Sequence, residues 1–181
     1  MINLNFKDFP ILTTERLTLR QITDADAKEI FELRSNESVN KFLDRPKARS
    51  IEDAQEFIEK ISHSIKNNES IMWGIVFKNQ PTLMGTICLY NISTQQSSAE
   101  IGYELIPVFQ GKGIIHEVLP KVIAFGFEIM QLKIIEAHTI AENERSLRVL
   151  EKNNFVLSGK FETENGEPAN TLIYSLDNKN K

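Results

Sequence analysis

Between Ile71 and Leu105 three apolar stretches follow one another: "IMWGIVFK" (Ile71–Lys78), "LMGTICLYNI" (Leu83–Ile92) and "AEIGYEL" (Ala99–Leu105). "KNQPT" between the first two reads as a tight turn, which predicts an antiparallel meander, because parallel pairing needs a crossover of a dozen residues or more. The third stretch leads into "PVFQGKGIIHEV" (Pro107–Val118), where two glycines and a lysine stand between a strand-like and a helix-like segment. Glycines at such a junction commonly hold phosphates, since bare backbone N–H groups close on an anion there. The plainer reading is a loop with a flexible tip.

The flanking segments complete a mixed pattern. "RLTLRQ" (Arg16–Gln21) alternates Leu17 and Leu19 with polar residues, a strand with one buried face. Thr23 and Asp26 form a capping-box pattern that opens a helix to about Arg34, with Ala27, Ile30, Phe31 and Arg34 at helical spacing. Ser50 and Asp53 repeat the device before a helix carrying Ala54, Phe57, Ile58, Ile61 and Ile65 on one stripe. After the glycine loop come a helix to about Met130, a strand "IIEAHT" (Ile134–Thr139), a helix "NERSLRVLEKN" (Asn143–Asn153), and two strands, "FVLSGKFE" and "TLIYSL", joined through Asn165-Gly166. This order predicts an α+β, or mixed α/β, fold in two layers on one twisted sheet.

The 181 residues suit a single domain spanning 1–181, with no linker or repeat to divide it. The net charge is −4 and Lys121 and Lys133 stand isolated, so nucleic acid is not an expected partner. Cys88 is the only cysteine, which excludes an intrachain disulfide and leaves no sign of a metal cluster. The start, "MINLNFKDFP", lacks the basic and apolar runs of a secretion signal. Pro120, Lys121 and Glu128 interrupt the most apolar helix candidate, so no membrane span is expected and a cytoplasmic protein is the default.

Two phosphate loops fail on spacing. A P-loop needs G-x-x-x-x-G-K-[ST], but Gly113 follows Lys112; a dinucleotide fingerprint needs G-x-G-x-x-G, and position 116 is His. Gln110-Gly111-Lys112-Gly113 instead resembles the Q/R-x-x-G-x-G/A acyl-CoA loop of the GNAT acetyltransferase superfamily. "TTERLTLRQITDADAKEIFEL", "SIEDAQEFI", "WGIV…LMGTICLYNI", "AEIGYEL" and "NERSLRVLEKNNF" fall in that family's order and spacing and together cover nearly the whole chain. The combination resembles the branch of ribosomal-protein N-terminal acetyltransferases, the RimJ/RimL type.

The resemblance implies a twisted, mostly antiparallel sheet flanked by helices, with a CoA cleft between two splayed central strands. It implies that N–H donors from Gly111, Lys112, Gly113, Ile114, Ile115 and His116 hold the CoA diphosphate, with Gln110 at the loop mouth and the pantetheine arm between the "AEIGYEL" and "IIEAHT" strands. Glycines permit that approach because no Cβ intervenes, and the next helix aims its N-terminal donors at the same anion. Two residues depart from the pattern. Ile115 stands where relatives carry Gly or Ala, and either crowds the phosphates or points into the core. The spacing of Ile115, Val118, Leu119 and Val122 favours the core. Pro120 removes a helix hydrogen bond and predicts a kink or a late helix start.

The chemistry implied is attack of a free amine on the thioester of acetyl-CoA, with no metal. A backbone N–H near Leu105 is the implied oxyanion donor. Many relatives protonate the thiolate with a tyrosine of the last helix, but the matching residue here is Leu150; Ser146 matches the N-x-x-S of the Rim-type branch, in which serine is the proposed acid. Asn143 is implied to bond the pantetheine amides. The competing reading is that Asn143 caps the helix and Ser146 is a first-turn residue doing no chemistry. For the base, alternation puts Glu100, Gly102 and Glu104 on one strand face, with the carboxylates about 7 Å apart, a spacing that would suit a base acting on an amine if the face is partly buried. Glu100 is the candidate, because it lies in the matched "AEIGY"; solvated charges on an exposed face are the alternative. His138 on the next strand is a candidate proton shuttle or a structural histidine.

The implied function is an acetyl-CoA-dependent N-acetyltransferase acting on a primary amine, with a protein N-terminal α-amine as one acceptor. A small amine (polyamine, amino acid or antibiotic) and a catalytically weak acyl-CoA-binding sensor are the alternatives. "NKFLDRPKARS" (Asn40–Ser50) and "ETENGEPAN" (Glu162–Asn170) are the loops expected to set the acceptor. Relatives of this branch often pair as homodimers, which no feature of this sequence fixes.

Overall fold

Short polar side chains start the early helices in the computed structural model of the chain, which describes residues 2–43, 45–162 and 168–178. The Thr23 amide donates to Asp26 Oδ2 at 2.8 Å, and a 3-10 turn (Asp24–Asp26) leads into α1 (Ala27–Ser35). Asn36 Oδ1 accepts from the amides of Ser38 and Val39 to start α2 (Glu37–Asn40). Ser50 Oγ accepts from the Asp53 amide at the head of α3 (Ile51–Lys66), as the repeated capping pattern predicts. Ala54, Ile58, Ile61 and Ile65 form the buried stripe of α3. On α1 the buried set is Ala27, Ile30 and Leu33; Phe31 is half-buried, and Arg34 lies with its guanidinium 3.7 Å over the Phe57 ring of α3.

Eight strands form one sheet: β1 (Leu12–Thr13), β2 (Leu17–Arg20), β3 (Ile71–Phe77), β4 (Gly85–Ser93), β5 (Ser98–Leu105), β6 (Ile134–Ile140), β7 (Val156–Glu162) and β8 (Pro168–Asp177). Their order is β1-β2-β3-β4-β5-β6-β8-β7, and every neighbouring pair is antiparallel except β5 and β6. The predicted meander is β3-β4-β5. The Asn165-Gly166 turn expected between the last two strands lies outside the described residues.

The two-layer expectation is corrected. β4 is buried at every residue from Gly85 to Leu89, so both faces of the central sheet are covered. Trp73, Ile87 and Tyr103 are cross-strand neighbours on one face, where the Trp73 ring meets Phe125 edge-on at 5.3 Å. Met72, Cys88 and Gly102 share the other face, on which Glu104 pairs with Arg45 from the segment between α2 and α3. The physical reason was visible in the strands, which are near-continuous apolar runs of the kind buried on both sides. Trp73, fully buried, donates Nε1–H to the Pro10 carbonyl at 2.7 Å.

Pro120 neither delays nor ends its helix. α4 runs Ile114–Ala124 with the proline inside it, losing only the bond that would reach the His116 carbonyl. The helix then widens into a π turn (Phe125–Ile129), closed by the Met130 amide on the Phe125 carbonyl at 3.0 Å. α5 (Glu144–Lys152) follows β6. No helix among the described residues is long and apolar enough to cross a membrane.

Candidate active site

The one parallel pair creates the site. β5 and β6 are in register only at Ser98–Ile134, Ala99–Ile135 and Glu100–Glu136, although β5 continues to Leu105 and β6 to Ile140. Beyond Glu100 the strands part, and a cleft of about 1030 Å³ opens between Tyr103–Leu105, the glycine loop, the start of α5 and the segment Ser38–Leu43. The Ile106 amide donates to the Met84 carbonyl at 2.9 Å. The Leu105 amide, one residue back along an extended chain, therefore points to the opposite edge, into the gap. Gln110 closes the mouth: its Nε2 donates to the Leu105 carbonyl at 3.0 Å and its Oε1 accepts from Arg145 Nη1 at 2.8 Å.

The loop has the shape of an anion cradle. Gly111 and Gly113 sit at φ of +74° and +75°, left-handed conformations that glycine alone adopts without steric cost. A Cβ on Gly111 would meet nothing within 4 Å, and one on Gly113 only Arg16 Nη2 at 4.0 Å, so neither glycine serves packing. No side chain caps α4 at Gly113, and the first amide bonded back is that of Glu117, to the Gly113 carbonyl at 3.1 Å. The amides of Ile114, Ile115 and His116 are thus the donors a helix start leaves over. Gly111, Gly113, Ile114, Ile115 and His116 all line the cleft. Lys112 does not: its Nζ lies 5.6 Å from the Phe109 ring centroid. A smaller cavity of about 700 Å³ behind α4, bordered by Pro120, Phe127 and Leu176, contains none of these groups.

Ile115 follows the core reading. It belongs to the hydrophobic core at 9% exposure, with only its edge reaching the cleft, and Ile114 is more deeply buried. Ile115→Ala is expected to destabilise the fold by about 2–5 kcal/mol, the usual range for a buried truncation, without tightening coenzyme A. A melting curve and a calorimetric titration on that variant check both halves.

At the far wall, Ser146 Oγ lies 3.1 Å from the Tyr103 hydroxyl. Asn143 Oδ1 accepts from the Ser146 amide at 3.3 Å, so Asn143 is the N-cap of α5, using only its carbonyl oxygen. The Ser146 side chain is not part of that cap. Burial pushes the Tyr103 phenol up to about 12, against the opposing effect of its hydrogen bond with Ser146, and keeps it neutral. Leu150, which stands where relatives carry a tyrosine, is fully buried core. Tyr103 was missed in the sequence. Alternation placed it beside Leu105, facing away from Glu100 and Glu104, which was the available signal.

The carboxylates of β5 part company. Glu104 lines the cleft and is held by Arg45 Nη2 at 2.6 Å, while Arg45 Nε reaches Asn40 Oδ1 at 2.8 Å. Glu100 does not line the cleft; Asn91 Nδ2 donates to it at 2.8 Å, and His138 Nδ1 lies 3.4 Å away. Each carboxylate thus has its own partner rather than repelling the other.

Comparison with known proteins places the chain in a family. The acetyltransferase (GNAT) domain profile matches residues 16–156. This chain belongs to the GNAT family. It is an N-acetyltransferase, 38% identical over 171 residues to the uncharacterized N-acetyltransferase YoaA of Bacillus subtilis, covering 93% of this chain and 97% of YoaA. It is also 26% identical over 144 residues to a spermidine N(1)-acetyltransferase of Vibrio cholerae, covering 80% and 81% of the two. Among solved structures, RimL, a ribosomal L7/L12 alpha-N-protein acetyltransferase in complex with coenzyme A, shares the fold at a TM-score of 0.81 and 21% identity, over 93% of this chain and 98% of that one. The ribosomal-protein branch that the sequence resembles is thus among its structural neighbours, and solved GNAT proteins hold acetyl-CoA or coenzyme A.

Proposed function

We propose that this GNAT protein transfers the acetyl group of acetyl-CoA to a single primary amine, with a protein or peptide N-terminal α-amine as the favoured acceptor. The observation that carries the cosubstrate is the cradle: two left-handed glycines with open space where a Cβ would stand, beside an uncapped helix start. The amides from Gly111 to His116 take the diphosphate. Gln110 orders the loop mouth, and Asn143 Nδ2, outside the cap, serves a pantetheine amide. The Leu105 amide, aimed into the gap, donates to the thioester oxygen as negative charge gathers on it. The ammonium loses one proton to cleft water before attack. Ser146 then hands its hydroxyl proton to the leaving thiolate and recovers one along its hydrogen bond with Tyr103, which regains its own as the amide nitrogen sheds its second proton through cleft water. Glu104, the β5 carboxylate that lines the cleft, replaces Glu100 as the residue facing the incoming ammonium.

Charge favours a single amine over a polyamine. Of the three carboxylates lining the cleft among the described residues, Glu104 is held by Arg45 and Glu144 by Arg148 at 3.0 Å. A single ammonium can share Glu104 with Arg45, whereas a polycation needs several unneutralised carboxylates. The second reading, a small polyamine, is favoured by the spermidine-acetylating relative. Thiol release measured with Ser- and Ala-starting peptides beside spermidine separates the two, and faster turnover of spermidine would reverse the preference.

Binding is checked first. Acetyl-CoA at about one hundred times its dissociation constant stabilises a fold by about 2.7 kcal/mol. For a domain of this size that is a rise in melting temperature of about 5–11 °C. No rise at millimolar acetyl-CoA would remove the reading of the cleft.

A further inference from the structure

The corner between β1 and β2 has no part in the reaction described above, yet it grips the glycine loop. Arg16 Nη2 donates to the Lys112 carbonyl at 3.3 Å, and its Nε donates to Glu117 Oε2 at 2.7 Å. The Arg16 amide donates to Glu117 Oε1 at 3.1 Å, and Thr14 Oγ1 donates to the same oxygen. Thr14 is itself fixed, its Oγ1 accepting from the Leu17 amide at 2.9 Å. The Arg16 carbonyl accepts from the Lys78 amide at 3.0 Å, which ties the corner to β3. Although partial desolvation opposes it, the hydrogen bonds from Thr14 and Arg16 hold the Glu117 carboxyl below its ordinary range, so it is ionised at neutral pH.

We infer that Arg16 is a positioning residue for the diphosphate site: by holding the Lys112 carbonyl it fixes the Lys112–Gly113 peptide with the Gly113 N–H turned into the cleft. The geometry follows from the planar trans peptide, whose C=O and N–H point in opposite directions. Lys112 O points at Arg16, and neither Arg16 nor Lys112 lines the cleft, whereas Gly113 does. A peptide that leads into a glycine is otherwise poorly restrained, because glycine populates positive and negative φ about equally. Flipping it would present a carbonyl oxygen, not a donor, to a phosphate. Glu117, in the first turn of α4, sets the guanidinium so that one arm reaches the loop, which makes the helix start and the loop one rigid unit. The guanidinium suits this task because its planar fork bonds two acceptors at once.

This inference rests on the reading of the cleft as the acetyl-CoA site, and its test separates the two. Calorimetric titration of the wild-type protein with coenzyme A checks that reading; no binding there defeats it and this inference with it. If the wild type binds, Arg16→Gln is expected to raise the coenzyme A dissociation constant about tenfold, the effect of losing roughly 1.4 kcal/mol of preorganised bonding. Turnover with S-acetylpantetheine, a thioester donor that ends before the diphosphate, is expected to be unchanged by the substitution. A general structural role predicts an equal loss with both donors, and that result, or an unchanged coenzyme A affinity in a folded variant, overturns the inference. Should Arg16→Gln fail to fold, Arg16→Lys keeps the charge against Glu117, removes the second arm, and carries the same comparison. With either variant, a loss confined to the diphosphate-bearing donor supports the clamp.

Discussion

Gly113→Val is expected to abolish acetyl-CoA binding while leaving the protein folded. At φ +75° a residue with a Cβ is strained by about 1–2 kcal/mol, and a β-branched one by more, so the loop relaxes toward negative φ. That rotation takes the Gly113 amide out of the cradle and shifts the helix start behind it. Losing two charge-assisted hydrogen bonds at about 1.5–3 kcal/mol each lowers affinity by about 10²-fold or more. The thermal shift with acetyl-CoA should vanish, while the melting temperature without ligand falls only modestly, since the nearest atom to the new Cβ is a guanidinium nitrogen 4.0 Å away. A folded variant that keeps the full ligand-induced shift would place the diphosphate elsewhere.

The loop was legible because its requirements are local: positive φ demands glycine, and an unpaired helix start follows it directly in the chain. The meander was legible for the same reason, with apolar stretches joined by turns. What crosses between elements was not. The Tyr103–Ser146 bond joins residues 43 apart, and it depends on how far β5 and β6 splay before α5 begins. Alternation set Tyr103 on its correct face without naming its partner. The pairing of Glu104 with Arg45 spans 59 residues and runs through a loop whose sequence carries no period. Glu104 and not Glu100 borders the cleft because it lies past the point where β5 and β6 part. Pro120 misled because a proline's local cost is clear, whereas the packing that offsets it is not: Val118, Leu119 and Val122 around it are fully buried. Arg16 illustrates the same limit, being an ordinary surface arginine in the sequence and a contact of the glycine loop 96 residues away in the fold.

Ser146→Ala is expected to lower kcat by about 10²-fold with the acetyl-CoA KM nearly unchanged, because a proton donor to the leaving group acts in the transition state and not in binding. The fold lets this be told apart from a role in helix capping. Asn143 bonds the Ser146 backbone amide, which alanine retains, so the cap survives and the stability lost is the bond to Tyr103, worth about 1 kcal/mol. Tyr103→Phe tests the other half of the pair. With its phenol pushed up to about 12 by burial, Tyr103 remains protonated across the assay range and can reprotonate Ser146 at every pH used. If the two hydroxyls act as one relay, Tyr103→Phe lowers kcat by a comparable factor and the double variant is no slower than Ser146→Ala, since groups that act as a unit are not additive. If Ser146 works alone, Tyr103→Phe is nearly silent and the phenol only orients its neighbour. Full turnover by Ser146→Ala would exclude both and leave water as the acid.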